Sequence, residues 1–110
     1  MPRKVEAVRA LLLEGYALQR SGQIARGNKK VRQAGAIVEE LKRDGEGRRA
    51  LRALLADPVA AVWNSMMYGL LDLYRAECLK LIRKVATKDS LVGMAARMNL
   101  ETIKREGRLA

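Results

Sequence analysis

Histidine is absent from these 110 residues, so the side chain that most often serves as general base is missing, and with it most zinc chemistry. No G-x-S-x-G, no Walker-type glycine loop and no H-E-x-x-H occurs. Catalysis would fall to carboxylates or lysines alone, and Glu39, Glu40 and Asp44 stand beside Lys42 and Arg43, where ordinary helix-surface ion pairs are expected. An enzyme is not expected. Cys78 shares a helical stripe with Tyr74, Ile82 and Val85, which reads as a small buried hydrophobe rather than a reactive thiolate. One cysteine and no histidine exclude a soft-ligand zinc site within one chain and an internal disulfide, and no metal or cofactor is expected. Asn28 falls on the Ile24 to Val31 face and reads as a buried amide clamping a neighbouring turn. Trp63, Met66 and Met67 form a stripe read as core, with Met67 and Tyr68 leaning outward.

The charged residues carry a clearer message. Lys and Arg number 22 against 12 Asp and Glu, a net charge of +10. The surplus is seven over residues 1–56 and three over residues 57–110. Arg26, Lys29 and Lys30 cluster on one turn; Arg48, Arg49 and Arg52 cover one side of a short helix; Lys80, Arg83, Lys84 and Lys88 run along another. Stacked helices would join some of these into one positive surface. Arg48, Arg49, Arg52, Lys80, Arg83 and Lys84 are therefore the candidate partner-binding residues. A protein partner of acidic character is the first reading. The alternative is sequence-nonspecific binding of duplex phosphates. Three Tyr and one Trp offer little for single-stranded bases to stack on.

Apolar spacing then supplies the elements that must position these groups. Val5, Val8, Leu12 and Tyr16 predict a helix over about residues 3–20, opened by Pro2 and ended by Ser21-Gly22. Ile24, Val31, Val38 and Leu41, with Gly35 on the same face, predict a second over about 24–44, with Gly45 in a left-handed closing position. A third, over about 47–56, turns Leu51, Leu54 and Leu55 inward. Asp57 then caps, and Pro58 opens, a fourth helix that buries Val59, Val62, Trp63, Met66 and Leu70. A fifth, capped by Asp72, runs to about Thr87. The last begins at Leu91, with Leu91, Met94, Ala95 and Met98 inward and a break near Met98 to Leu100, where Asn99 restarts it. The expected fold is all-α, a single domain of five to six short helices arranged as antiparallel hairpins in a short right-handed stack.

The stretch LRALLADPVAAVWNSMMYGLLDL resembles a HEAT repeat, in which a leucine-rich helix ends at Asp-Pro and a second apolar helix follows. The matching positions are Leu51, Leu54, Leu55, Asp57, Pro58, Val62 and Leu70. Trp63 departs from the arginine that HEAT repeats usually carry there. More narrowly, the chain is similar to a small bacterial family known as domain of unknown function two thousand and nineteen. That similarity rests on Asn28, the Leu54-Leu55-Ala56-Asp57-Pro58 corner, the run from Ala76 to Ala86, and Met98, Leu100, Ile103, Gly107 and Leu109. It implies a HEAT-like helical fold and no known activity.

Charged residues interrupt the apolar N-terminal patch, and the longest uncharged run, between Asp57 and Asp72, is too short for the roughly 20 residues of a membrane span. Neither secretion nor membrane insertion is expected, and a reducing cytoplasm suits the chain.

Overall fold

The structure, a computed structural model, describes residues 3–106 and consists of helices joined by tight turns. These are α1 (Arg3–Arg20), α2 (Ile24–Leu41), α3 (Gly45–Arg52) with a 3-10 turn at Ala53–Ala56, α4 (Ala60–Gly69), α5 (Arg75–Ala86) and α6 (Leu91–Arg105). The described residues contain no strand, and the fold is all-α. The most intimate contact is α1 on α2, and α5 pairs similarly with α6. The 3-10 turn packs on α4, which also touches α1 and α5. One continuous core results, built from residues such as Val8, Leu12, Val38, Leu51, Leu54, Val62, Met66 and Ile82. Each such side chain, fully buried, contributes on the order of 1.5–3 kcal/mol of transfer free energy. No helix among the described residues is long and apolar enough to cross a membrane.

The first hairpin turns at Gly22, whose φ of 88° lies in the left-handed region that an L side chain resists. Below that turn the two helices meet backbone to backbone. A Cβ added to Gly27 would lie 2.5 Å from the carbonyl oxygen of Gly15, so only hydrogen fits there. The buried stripe of α2 is Gly27, Ala34, Val38 and Leu41. Ile24 is exposed because α1 has already ended where it stands, and Gly35 faces solvent.

Several expectations are corrected at the helix ends. Asp44, not Gly45, marks the boundary of α3, because its carboxylate accepts from the Gly47 amide at 2.7 Å. Gly45 lies inside the helix with no left-handed φ. Asp57 is extended, as a residue before proline must be, and its Oδ1 accepts from the Val59 amide at 2.9 Å. The fourth helix thus starts at Ala60, and Pro58 precedes it instead of opening it. Asp72 does not cap α5. Tyr74 holds that position with no side-chain cap, while the turn is closed by the Tyr74 amide donating to Leu70 and Asp72 pairs with Lys42 at 3.1 Å.

The last helix is continuous from Leu91 to Arg105, with no break at Met98 to Leu100 and no restart at Asn99. It buries Gly93, Ala96 and Ile103, whereas Leu91 is 80% and Met98 64% exposed, and Met94 and Ala95 also face solvent. Gly93 and Ala96 are small enough to bring the helix close to its neighbour, and that contact selects the buried face. In α4 the expected tilt is also reversed, since Met67 is fully buried and Trp63 only half-buried. Pro2, Gly107 and Leu109 lie outside the described residues.

Candidate functional site

Four of the six candidate basic residues come together. Arg49 and Arg52 from α3, and Lys80 and Lys84 from α5, flank a groove of about 570 Å³ floored by Ala53, Leu55, Ala56 and Leu81. Leu55, Ala56, Leu81 and Lys84 also line a second concavity of about 320 Å³, which extends the groove to Trp63 and Lys88. Both volumes fall in the range of built binding clefts. Lys80 and Lys84 stand at i and i+4 on α5, about 6 Å apart along its axis, and Lys88 follows in the turn beyond the helix.

The charge of this groove is settled by its carboxylates. Glu77 accepts from Arg52 Nε at 3.0 and 3.1 Å, and the Arg52 guanidinium lies 5.3 Å from the centre of the Tyr74 ring. That hydrogen bond holds the Glu77 carboxyl below its ordinary range and raises Arg52. At the other end Asp57 is held by Arg9 Nε at 2.7 Å, and its side chain is only 6% exposed. Both acids are therefore spent on arginines. No ion pair among the described residues engages Arg49, Lys80, Lys84 or Lys88, so an apolar floor lies between unopposed positive charges.

Arg48 and Arg83 do not join. Arg48 folds back so that its Nε donates to the Lys42 carbonyl at 2.6 Å, and Arg83 faces solvent outside the groove. Asn28 is exposed, not buried, yet it does clamp the hairpin, accepting from Gln19 Nε2 at 2.8 Å. Asp57 and Pro58 shape the corner, and Trp63 contributes its half-buried ring to the end of the groove. Cys78 is fully buried, and its burial, with the charges of Glu77 and Asp72, pushes the thiol up to about 11. The described residues bring no three Asp, Glu or Cys side chains together as a metal site.

Leu55 is buried in the core and Leu81 packs against it, as their apolar spacing predicts, yet each also turns one flank to the groove. Leu55 and Leu81 are apolar positions at the margin of their stripes, and Leu81 is bracketed by Lys80 and Lys84. An apolar residue one step off the buried stripe and flanked by lysines is the pattern that marks such a floor. Compared with protein-family models, curated proteins and solved structures, the chain matches none.

Proposed function

We propose that this chain is a non-catalytic interaction domain of the cytoplasm that binds an acidic segment of a protein partner in the groove between α3 and α5. The carrying observation is the aliphatic floor of Leu55 and Leu81 beneath unopposed Arg49, Lys80 and Lys84. A peptide can fill both parts, lowering apolar side chains onto the floor while its carboxylates meet the rim. Duplex phosphates would use only the rim and leave the floor wet, and the single ring in the groove, Trp63, gives little for bases to stack on. The α1/α2 and α5/α6 hairpins, with α4 packed on the 3-10 turn between them, also support a HEAT-like architecture, whose exposed faces serve well as binding surfaces.

Selection from a random peptide library tests this reading. Enriched sequences are expected to place Asp or Glu next to Leu, Ile or Phe. Lys80→Glu with Lys84→Glu is expected to weaken their binding about tenfold, at roughly 0.5–1 kcal/mol per exposed charge. Failure to enrich acidic sequences, together with salt-sensitive binding of random duplex, would replace the proposal with the nucleic-acid reading.

A further inference from the structure

The basic groove has two unlike halves. The wider, of about 570 Å³, has rims of Arg49, Arg52 and Lys80 over an aliphatic floor, and no aromatic residue lines it. The narrower, of about 320 Å³, runs on from Leu55 to Trp63 and Val85, with Lys84 and Lys88 beside them. The acid that lines this half, Asp57, is held by Arg9 at 2.7 Å with its side chain only 6% exposed, so it offers an incoming anion little repulsion. Lys88 is fixed through its backbone, its amide donating to the Val85 carbonyl at 3.0 Å and its carbonyl accepting from Arg97 Nη1 at 3.2 Å. Trp63 is half-buried, and its indole N–H donates to no group among the described residues while staying open to solvent. A tryptophan that served packing alone would ordinarily have found a partner for that N–H.

We propose that the narrower half is the anchor subsite of the groove, taking one aromatic side chain of the bound segment against Trp63 while an adjacent carboxylate meets Lys84 and Lys88. This subsite rests on the acidic-segment reading of the groove and makes Trp63 its specificity-determining residue. Size agrees, since about 320 Å³ lies at the small end of ligand clefts and suits one ring rather than several residues. Chemistry then selects the ring. An aliphatic side chain placed here gains only buried area, as it would on the floor of the wider half. An aromatic one gains in addition a ring-to-ring contact with Trp63, and the ammonium groups of Lys84 and Lys88 favour its electron-rich face. The neighbouring carboxylate finds the same ammonium groups and the free indole N–H as donors.

Trp63 is the single tryptophan of the chain, so its emission reports on this half alone. The probes are two acetylated, amidated peptides, Glu-Asp-Phe-Asp-Glu and the same sequence with cyclohexylalanine in place of Phe. They share charge and size, and the second is the more apolar, so only aromatic character can favour the first. Calorimetric titration of the full chain is expected to show the Phe peptide binding about 2- to 10-fold more tightly. The same peptide should quench or shift the Trp63 emission. In Trp63→Leu both peptides should still bind, the preference should vanish, and helical circular dichroism should show the fold intact.

Equal affinities in the wild type, binding that leaves the emission unmoved, or a preference that survives in Trp63→Leu overturns the subsite and leaves the acidic-segment reading standing. The first two are measured on the wild-type chain and hold even if the variant fails to fold. Emission that responds to a single-stranded oligonucleotide and to neither peptide also overturns it, giving the ring to bases. Absence of binding by both peptides removes the groove reading and the subsite with it.

Discussion

Asp57 fixes the corner before α4 by accepting in two different ways, from the backbone amide of Val59 next to it and from the Arg9 side chain on α1. The Arg9 hydrogen bond, reinforced by the Val59 amide, holds the Asp57 carboxyl below its ordinary range although burial opposes this. A lowered native value means that the unfolded chain takes up the proton more readily. The pair's stabilisation is therefore complete above about pH 4 and is lost as pH falls through the native value. Asp57→Ala removes both contacts and is expected to cost about 2–3 kcal/mol at pH 7, while Asp57→Asn keeps the turn acceptor and costs about 1. Urea midpoints at pH 7 and pH 3 check both, and the gap between wild type and Asp57→Asn should narrow at pH 3. An undiminished gap would show that the charge is not what matters. Trp63 and Leu81 teach a related lesson about reading single residues, because their composition is that of core and only the neighbouring helix decides whether one flank stays open.

Among the elements, the α1/α2 hairpin depends on the absence of two side chains. Gly27→Ala would place a methyl group 2.5 Å from the Gly15 carbonyl oxygen and 2.7 Å from Gln19 Cγ, and a backbone oxygen cannot swing aside. The helices must separate, and the expected loss is about 1–3 kcal/mol despite alanine's higher helix propensity. A thermal melt checks the sign, and an unchanged or raised Tm would refute this account of the contact. The six helices were legible in the sequence because their periodicity persists over several turns, and so was the clustering of Arg49, Lys80 and Lys84. The boundaries at Asp44, Val59 and Tyr74 were not, since capping depends on which hydrogen bond closes each turn. In α6 the orientation itself was ambiguous. Leu91, Met94 and Met98 form one apolar stripe and Gly93, Ala96, Leu100 and Ile103 another, and period alone cannot rank them. Glycine and alanine win the buried side because contact with α5 rewards close approach over side-chain size.

Across the whole molecule, stability is distributed unevenly. The α1 and α4 helices share a core of fully buried Val5, Val8, Val62 and Met67, to which α2 adds Ala34 and Val38, whereas α6 rests chiefly on α5 and buries only Gly93, Ala96 and Ile103. Two of those three side chains bring little apolar area, so undocking α6 exposes far less surface than opening the rest. Hydrogen exchange should therefore find α6 amides opening at a lower free energy than those of α1, as a separate unit of the fold. The ionic arrangement reinforces this order, since Lys4 with Glu40 and Arg9 with Asp57 tie α1 to α2 and to the corner before α4. For α6 the corresponding ties are Arg97 donating to the Ala86 and Lys88 carbonyls, all within the α5/α6 pair. Amides of α6 that exchange as slowly as those of α1 would contradict this order, because the α5/α6 contact would then hold as firmly as the α1/α2 core.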